Sequence, residues 1–323
     1  MERVAVIVIN YRTPDLTVGC LESLESTMEE HPEWRVVVVD NCSGDDSVER
    51  LKATIAERAW SRWVELVPSP VNGGFSAGNN VGIRRVEAEY YLLLNSDARV
   101  FDGTIEALVD AMKRRPDVGA IGPRLQFEDG TAQVSCFRDR SIVSELLEAA
   151  ATRPLDRAFG RFVVAMGVFD EPTEGEWVSF ACVMIRREVV DTIGEMDEGY
   201  FLYLEDIDYC KRMRRAGWRV LHFPSAKAIH LRGGSASLKQ DAVARRRLPR
   251  YFFESRSRYF GKFYGGVPGV ILANVAWTGG RSLAWLRETF GSKAPHVSEK
   301  QTTDLWINWR EPFRASSYVR SSD

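Results

Sequence analysis

Long apolar runs are missing from this sequence. Residues 4–9 give way at once to Asn10, Tyr11 and Arg12 and are too short for the core of a signal peptide. The late uncharged stretch 267–280 falls well short of the ~20 residues a spanning helix needs. No transmembrane segment is expected. Paired cysteines are missing too: Cys20, Cys42, Cys136, Cys182 and Cys210 are odd in number, widely spaced and without a C-x-x-C unit, which argues against a zinc ribbon or redox dithiol and fits a reducing, cytoplasmic setting. Charge of one sign is not in excess. With 43 basic residues against 45 acidic ones the net charge is -2, so any attraction to nucleic acid or anionic membrane must be local. Internal repeats and low-complexity linkers are absent. What is present is 323 residues with 45% hydrophobic content, enough to bury a sizeable core.

Four runs, residues 4–9, 36–39, 90–94 and 118–121, are too brief and too evenly apolar for amphipathic helices and read as buried parallel strands. Helical patterns lie between them at 16–24, 47–59, 77–86 and 104–115, the last stopped by Pro116. Strand alternating with helix predicts an α/β chain with a doubly wound, mainly parallel sheet. Such a sheet binds ligands at the carboxyl ends of its strands. Here those ends carry Asn10 and Tyr11, then Asp40 and Asn41, then Asn95, Ser96 and Asp97. Each alone also fits a turn or a helix cap; three in register point to a nucleotide-sized site. Periodicity fades over 131–176. It returns as a strand over 177–185, a helix over 205–216 closed by Gly217, and strands near 219–223 and 227–230. The expected division is a first domain over 1–237 and a helical extension over 238–323.

Asp97, just past the strand over 90–94, is placed to give a carboxylate to a divalent cation that neutralises a diphosphate. By itself the triplet Asn95-Ser96-Asp97 equally describes a turn. The run Tyr203-Leu204-Glu205-Asp206-Ile207-Asp208 offers three carboxylates, one of which could take the proton of an attacking hydroxyl. The same acids open a helix whose last turn holds Arg212, Arg214 and Arg215, which suits the helix dipole without any catalysis. Of four histidines, His230 ends a strand just before a glycine turn and could bring its imidazole to a cation, whereas His31 and His296 lie in polar surroundings. The stretch from Asn72 to Asn80 sets Gly73, Gly74 and Gly78 among Asn72, Asn79 and Asn80 where a helix opens. Its N–H groups could face a phosphate or sugar, or its glycines could serve a loop that needs positive φ. It matches neither G-x-G-x-x-G nor G-x-x-x-x-G-K-S/T, so a dinucleotide fold and a P-loop are unsupported.

Together these residues resemble glycosyltransferase family 2, a large inverting family on the GT-A nucleotide-binding fold, and within it the bacterial rhamnosyltransferase-like branch. The resemblance runs from Val4 to about Ser235. It is carried in order by Asn10-Tyr11-Arg12, Val39-Asp40-Asn41-Cys42-Ser43, the glycine and asparagine loop over 72–82, Leu94-Asn95-Ser96-Asp97, the run from Phe201 to Asp208, and His230 with Gly233-Gly234-Ser235. It implies a metal-dependent, inverting transferase of hexosyl groups. The donor would be a dTDP- or UDP-sugar, with dTDP-L-rhamnose a candidate, and the acceptor a hydroxyl on a glycan or lipid-linked glycan of bacterial surface polysaccharide. By the same resemblance Asp40 hydrogen-bonds the pyrimidine, Tyr11 lies against it, Asp97 and His230 hold Mn²⁺ or Mg²⁺, and Asp206 is the catalytic base. Asn10, Asn72, Gly74, Gly78, Asn79, Asn80, Asn95 and Glu205 complete the substrate-binding set. Two positions depart from the family pattern. Asn95 replaces the first acid of D-x-D, and a neutral amide holds a cation less strongly. Phe180 stands where the family has glycine, and its ring either narrows the sugar pocket or turns away from it.

Between residues 245 and 262, seven basic residues stand against Glu254 alone and alternate with Tyr251, Phe252, Phe253, Tyr259 and Phe260. A helix of this composition could lie on an anionic membrane, each cation near it contributing ~1 kcal/mol, which would set the protein peripherally on the inner face of the plasma membrane. It could also pack its aromatics on the core, or serve contacts in a homo-oligomer. Nucleic acid is not an expected partner. Two other functions stay in view. One is a nucleotide-sugar or carbohydrate-binding protein without turnover, against which Asp97, Asp206 and His230 speak together. The other is a nucleotidyltransferase, whose glycine-rich basic signature is missing from residues 10–15.

Overall fold

The computed structural model describes residues 3–231, 242–291 and 297–321. Its centre is a nine-stranded sheet. On one side four strands run parallel: β1 (Val4–Asn10) lies between β2 (Arg35–Asp40) and β5 (Tyr90–Asn95), and β3 (Val64–Pro68) continues outward from β2. Next to β5, β12 (Cys182–Arg186) pairs antiparallel with both β5 and β7 (Val118–Gln126), and β13 (Arg219–His230) runs parallel to β7. Short β10 (Thr173–Glu174) and β6 (Ala98–Val100) pair with β13. A small sheet of β8 (Cys136–Phe137), β9 (Ala165–Gly167) and β11 (Trp177–Val178) flanks this one, and β4 (Val71–Asn72) pairs with β14 (Arg320–Ser321).

The strands of the parallel half are buried on both faces, which is why they read as apolar without alternation. Val4, Val6 and Val8 of β1 share a core with Leu21 of α1 (Pro14–Glu22), Met28 of α2 (Glu25–Glu30), Leu51 of α3 (Ser47–Glu57) and Ile105 of α5 (Thr104–Arg114). Ala5 and Ile7 face the other way, toward Ile83 of α4 (Gly74–Arg85), Val189 of α8 (Arg187–Ile193) and Tyr209 of α9 (Glu205–Arg215). The α/β expectation therefore holds, with corrections. The segment 177–185 is two strands in different sheets, because residues 179–181 carry the chain from β11 into β12. The strands near 219–223 and 227–230 are halves of one, whose register slips between Phe223 and Lys227, as a bulge does. In the unassigned region, α6 (Ile142–Ala150) starts at a capping box: Ser141 Oγ accepts from the Ser144 N–H at 3.0 Å while Ser144 Oγ accepts from the Ser141 N–H at 2.7 Å. It is followed by α7 (Arg153–Ala158). The expected boundary at 237/238, the glycine turn at 233–235 and His296 lie outside the described residues.

The C-terminal helices α10 (Arg250–Tyr264) and α11 (Val267–Gly291) pack onto α6, and a short α12 (Gln301–Asp304) comes after them. The basic aromatic stretch is largely turned inward, so it does not present the membrane face its composition allows. Phe253, Tyr259 and Phe260 are buried. Arg256 is 2% exposed and donates from Nε and Nη2 to Glu145 Oε2 at 2.8 and 2.6 Å. Arg258 and Lys262 pair with Asp197, Arg250 with Glu254, and Arg247 with Asp304. Burial alone would raise the Glu145 carboxyl, but Arg256 and Arg140 outweigh it and hold it below the usual range. Asp197 is pushed down to about 2, Arg258 and Lys262 again outweighing burial.

Depressed carboxyls stabilise the fold above their ordinary range of about 4, and that stabilisation is lost as the pH falls from there toward the folded values. Glu145→Ala should therefore cost about 3–5 kcal/mol at neutral pH, since it leaves Arg256 charged and unpaired in the interior. The change should also flatten the acid limb of the stability curve. Chemical denaturation at pH 7 and pH 3 checks both; an unchanged midpoint at neutral pH would refute the assignment. Among the described residues no helix is long and apolar enough to cross a membrane.

Candidate functional site

Parallel pairing sets the strand ends side by side, with Asn10 opposite Asp40 and Ile9 opposite Asn95. At the first two ends the side chains form a closed hydrogen-bond set. Asp40 Oδ1 accepts from Asn10 Nδ2 at 2.7 Å and from Ser43 Oγ at 2.6 Å, and Asp40 Oδ2 accepts from the Ser43 N–H at 3.1 Å. Thr17 Oγ1 donates to Asn10 Oδ1 at 2.9 Å. Asn10 is fully buried, so it acts by orienting the Asp40 carboxylate, which is 2% exposed. Arg12 reaches over from the same strand end: its backbone N–H donates to Ser43 Oγ at 3.0 Å, its Nε to the Ser43 carbonyl at 2.8 Å, and its guanidinium lies 5.3 Å from the centre of the half-buried Tyr11 ring. Arg12 and Ser43 stand inside the sequence motifs, but the bonds they make are long-range and have no local signal in the sequence.

The third end meets β13. Antiparallel pairing places Ala98 opposite His230, and the turn before β6 thereby brings Asp97 to the histidine. Asp97 Oδ1 lies 3.5 Å from His230 Nε2, with side chains 10% and 15% exposed. The Leu231 N–H donates to the Asp97 carbonyl at 2.9 Å, and Gln133 Nε2 donates to the His230 carbonyl at 2.7 Å, so backbone on both sides of the pair is fixed. A carboxylate and an imidazole turned to each other at this spacing fit two positions in the coordination of a divalent cation, the others being open to phosphate oxygens and water. Asn95 is half-buried beside them, and its N–H donates to the Ala181 carbonyl at 2.9 Å. Phe180 is buried against Tyr209 in the core at a ring distance of 6.3 Å, which settles the alternative: its ring turns away from the site.

The glycine and asparagine loop divides. Gly74 has φ +84, and a Cβ there would lie 1.9 Å from the Phe201 carbonyl oxygen, which accepts from the Phe75 N–H at 2.7 Å. Only glycine allows this approach, and it ties the loop to the segment that leads into α9. Asn72 Oδ1 accepts from the Gly74 N–H and from Asn41 Nδ2, each at 3.0 Å. Asn79, Asn80 and Gly78 are engaged inside the fold. Asn79 Nδ2 donates to the Phe75 carbonyl. Asn80 bonds the Met196 backbone at both amide atoms and Glu198 at one, and Gly78 packs on Ile9. These three shape the loop from beneath, since burial leaves Asn79 and Asn80 about 1% exposed or less.

Where α9 begins, Tyr203 and Leu204 both sit in the left-handed region, at φ +71 and +67. Two consecutive non-glycine residues there store strain, and no residue type in the sequence announced it. The three acids that follow are distinct. Asp208 is locked: Tyr200 Oη donates to it at 3.2 Å, Arg212 Nε at 2.8 Å, and Lys262 Nζ lies 2.6 Å away. Glu205 is buried, its Oε2 has no hydrogen-bond partner, and burial followed by the charge of Asp206 drives its carboxyl well above the usual range. Asp206 is half-buried, with Oδ1 accepting from the Ile207 N–H at 2.8 Å. Elsewhere, among the described residues, Glu30, His31 and Glu106 have metal-ligand spacing. There His31 stacks on Trp34 at 3.9 Å and lies 3.3 Å from Glu106, which an ordinary ion pair explains.

The family model described as Glycosyl transferase family 2 matches residues 5–194. The N-acetylglucosaminyl-diphospho-decaprenol L-rhamnosyltransferase of Mycobacterium tuberculosis is 29% identical over 185 residues, covering 52% of this chain and 58% of that protein, so the chain aligns with little more than half of that relative. A rhamnosyltransferase of Escherichia coli is 24% identical over 242 residues, covering 70% of this chain and 83% of that one. Among solved structures, a mannosyltransferase from Pyrobaculum calidifontis in complex with GDP-Man and Mn²⁺ superposes with a TM-score of 0.56 at 17% identity, covering 97% of this chain and 82% of that chain. TarS of S. aureus superposes at 0.54 with 14% identity, covering 96% and 80%. At these identities the superpositions speak for the fold, a GT-A-like sheet with a helical C-terminal part.

Proposed function

Because the chain belongs to glycosyltransferase family 2, we propose that it moves a sugar from a nucleoside diphosphate to a hydroxyl of a glycan or lipid-linked glycan in bacterial surface polysaccharide synthesis, with inversion and with dTDP-L-rhamnose as the first donor to test. The rhamnosyltransferase names of two relatives support that donor, and the mycobacterial relative's name supports a lipid-linked saccharide as acceptor. The observation that carries the reading is the Asp97–His230 pair at 3.5 Å, set at the strand ends beside the Asp40 hydrogen-bond set.

Asp40, held by Asn10 and Ser43, would accept from the base of the nucleotide, with the Tyr11 ring against it. Asp97 and His230 would hold Mn²⁺ or Mg²⁺ against the diphosphate. When bound, such a cation neutralises the charge that builds on a departing diphosphate. Asp206 would take the proton of the acceptor hydroxyl. Of the three neighbouring acids it suits that role best, since Glu205 is buried with its carboxyl driven well above the usual range and Asp208 is taken up by Arg212 and Lys262. One proton acceptor and one leaving diphosphate on opposite sides of the sugar give a single displacement and hence inversion.

A thermal-shift series with dTDP, UDP and GDP, each with and without Mn²⁺, tests the reading, because a ligand that binds only the folded form raises its apparent stability. The pyrimidine diphosphates should raise the melting temperature, and more with Mn²⁺. Failure of every nucleotide to do so would overturn the donor reading. Nucleotide binding without any release of nucleoside diphosphate from a nucleotide sugar would favour the binding-protein alternative.

A further inference from the structure

The helix α11 presents an apolar stripe that nothing among the described residues covers. Leu272, Val275, Leu283, Leu286 and Phe290 follow one another at three-, eight-, three- and four-residue steps along one face, and Trp285 flanks them; they range from 45% to 83% exposed, Phe290 the most. The opposite face is committed to the protein: Val270, Ala273, Trp277, Gly280 and Ala284 are buried, and at Gly280 a Cβ would come within 2.2 Å of the Leu146 carbonyl oxygen of α6. The exposed stripe carries no charge. The one acid of the helix, Glu288, is buried and pairs with Arg281 at 2.7 Å. In water such a stripe is costly, since each large apolar side chain forgoes its burial.

Beside it lies uncompensated positive charge. Arg287 of α11 donates from Nη1 to the Ala151 carbonyl at 2.7 Å and to Thr152 Oγ1 at 2.6 Å, which fastens the start of α7 along the helix. From there Arg153, Arg157 and Arg161 follow at i, i+4 and i+8. All three are exposed, and among the described residues none has an ion pair. Asp156 is the sole acid in that segment, and Phe159 between the arginines is 46% exposed.

We propose that this face docks on an anionic lipid bilayer, with α11 lying in the plane of the interface, its stripe sunk among the acyl chains and Arg153, Arg157 and Arg161 meeting the headgroups. The helix is amphipathic and held along its other face by protein, which suits an in-plane position and excludes a spanning one. Trp285 at the border of the stripe has the character of an interfacial anchor. A second copy of the chain fits less well, because a two-fold contact through this face would bring the same unpaired arginines together. The inference stands on α7 and α11 alone and does not depend on what the site transfers.

Flotation with vesicles of phosphatidylcholine, with and without phosphatidylglycerol, tests it. The full chain should float with the anionic vesicles and release partly at high salt. The double variant Leu283→Glu/Phe290→Glu should lose about tenfold or more in vesicle affinity with an unchanged melting temperature, both positions being exposed. Arg153→Glu/Arg157→Glu should lose the preference for anionic lipid. Absence of flotation, or flotation indifferent to both double variants, would overturn the proposal. So would a dimer in sedimentation velocity that Leu283→Glu/Phe290→Glu converts to monomer, which would assign the face to a second copy. Any of these results leaves the nucleotide thermal shift, and so the catalytic reading, intact.

Discussion

Asp206→Asn lowers turnover by about two to four orders of magnitude, the range that removal of a positioned proton acceptor commands, and leaves donor binding nearly intact. The substitution keeps volume and shape, and the backbone N–H of Ile207 that bonds Oδ1 can bond an amide oxygen equally well. What disappears is the ability to hold the hydroxyl proton as the nucleophile forms its bond. Glu205 cannot take over. It is buried, lacks a hydrogen-bond partner at Oε2, and burial followed by the charge of Asp206 drives its carboxyl well above the usual range. Asp208 cannot either, since Arg212 and Lys262 bind its two oxygens. The expected signature is a fall in kcat with little change in the donor concentration for half-saturation, read as nucleoside diphosphate released under saturating donor and acceptor. A variant with full turnover would remove Asp206 from the role of base.

Asp97→Ala should do the complementary thing. Even groups that merely orient metal ligands cost about 10–100-fold in metal affinity when removed, so loss of a ligand itself should cost at least that much in cation-dependent nucleotide binding. His230→Ala should act in the same direction. In the wild type, chelation should abolish transfer and added Mn²⁺ or Mg²⁺ restore it. The two variants should respond weakly to added metal. Because Asp97 and His230 are linked through β6 and β13, each variant needs its melting temperature beside its activity, so that a lost site is not mistaken for a lost fold. Transfer undiminished in excess chelator would take the cation out of the mechanism.

Much of this was legible in the sequence, and the reasons are local. The runs in β1, β2 and β5 are buried on both faces, so composition alone marked them, and the polar residues at their ends followed from the strand ends themselves. The Asp97–His230 contact was available only through motif order, since Ala98 and the His230 it pairs with are far apart in the sequence. β3 was missed because its middle is partly exposed and broken by Glu65. The antiparallel direction of β12 has no sequence signal of its own. For Phe180 the sequence leaves two orientations open, and the break at 179–181 turns its ring into the core beside Tyr209. The basic residues in and just before α10 left a membrane face and packing on the core both open, because their partners Glu145, Asp197, Asp208 and Asp304 are remote in sequence. The apolar stripe of α11 stayed hidden for the opposite reason: residues 267–280 were weighed by length against a spanning helix, and length says nothing about which face a helix buries.

In the proposed mechanism a cation bound by Asp97 and His230 would carry the donor diphosphate. Crystals grown with dTDP and Mn²⁺, measured near the manganese absorption edge, test it directly. An anomalous peak is expected within bonding distance of the Asp97 carboxylate and His230 Nε2, with diphosphate oxygens completing its coordination. A peak at Glu30, His31 and Glu106 instead, or nucleotide bound with no peak at Asp97, would contradict it.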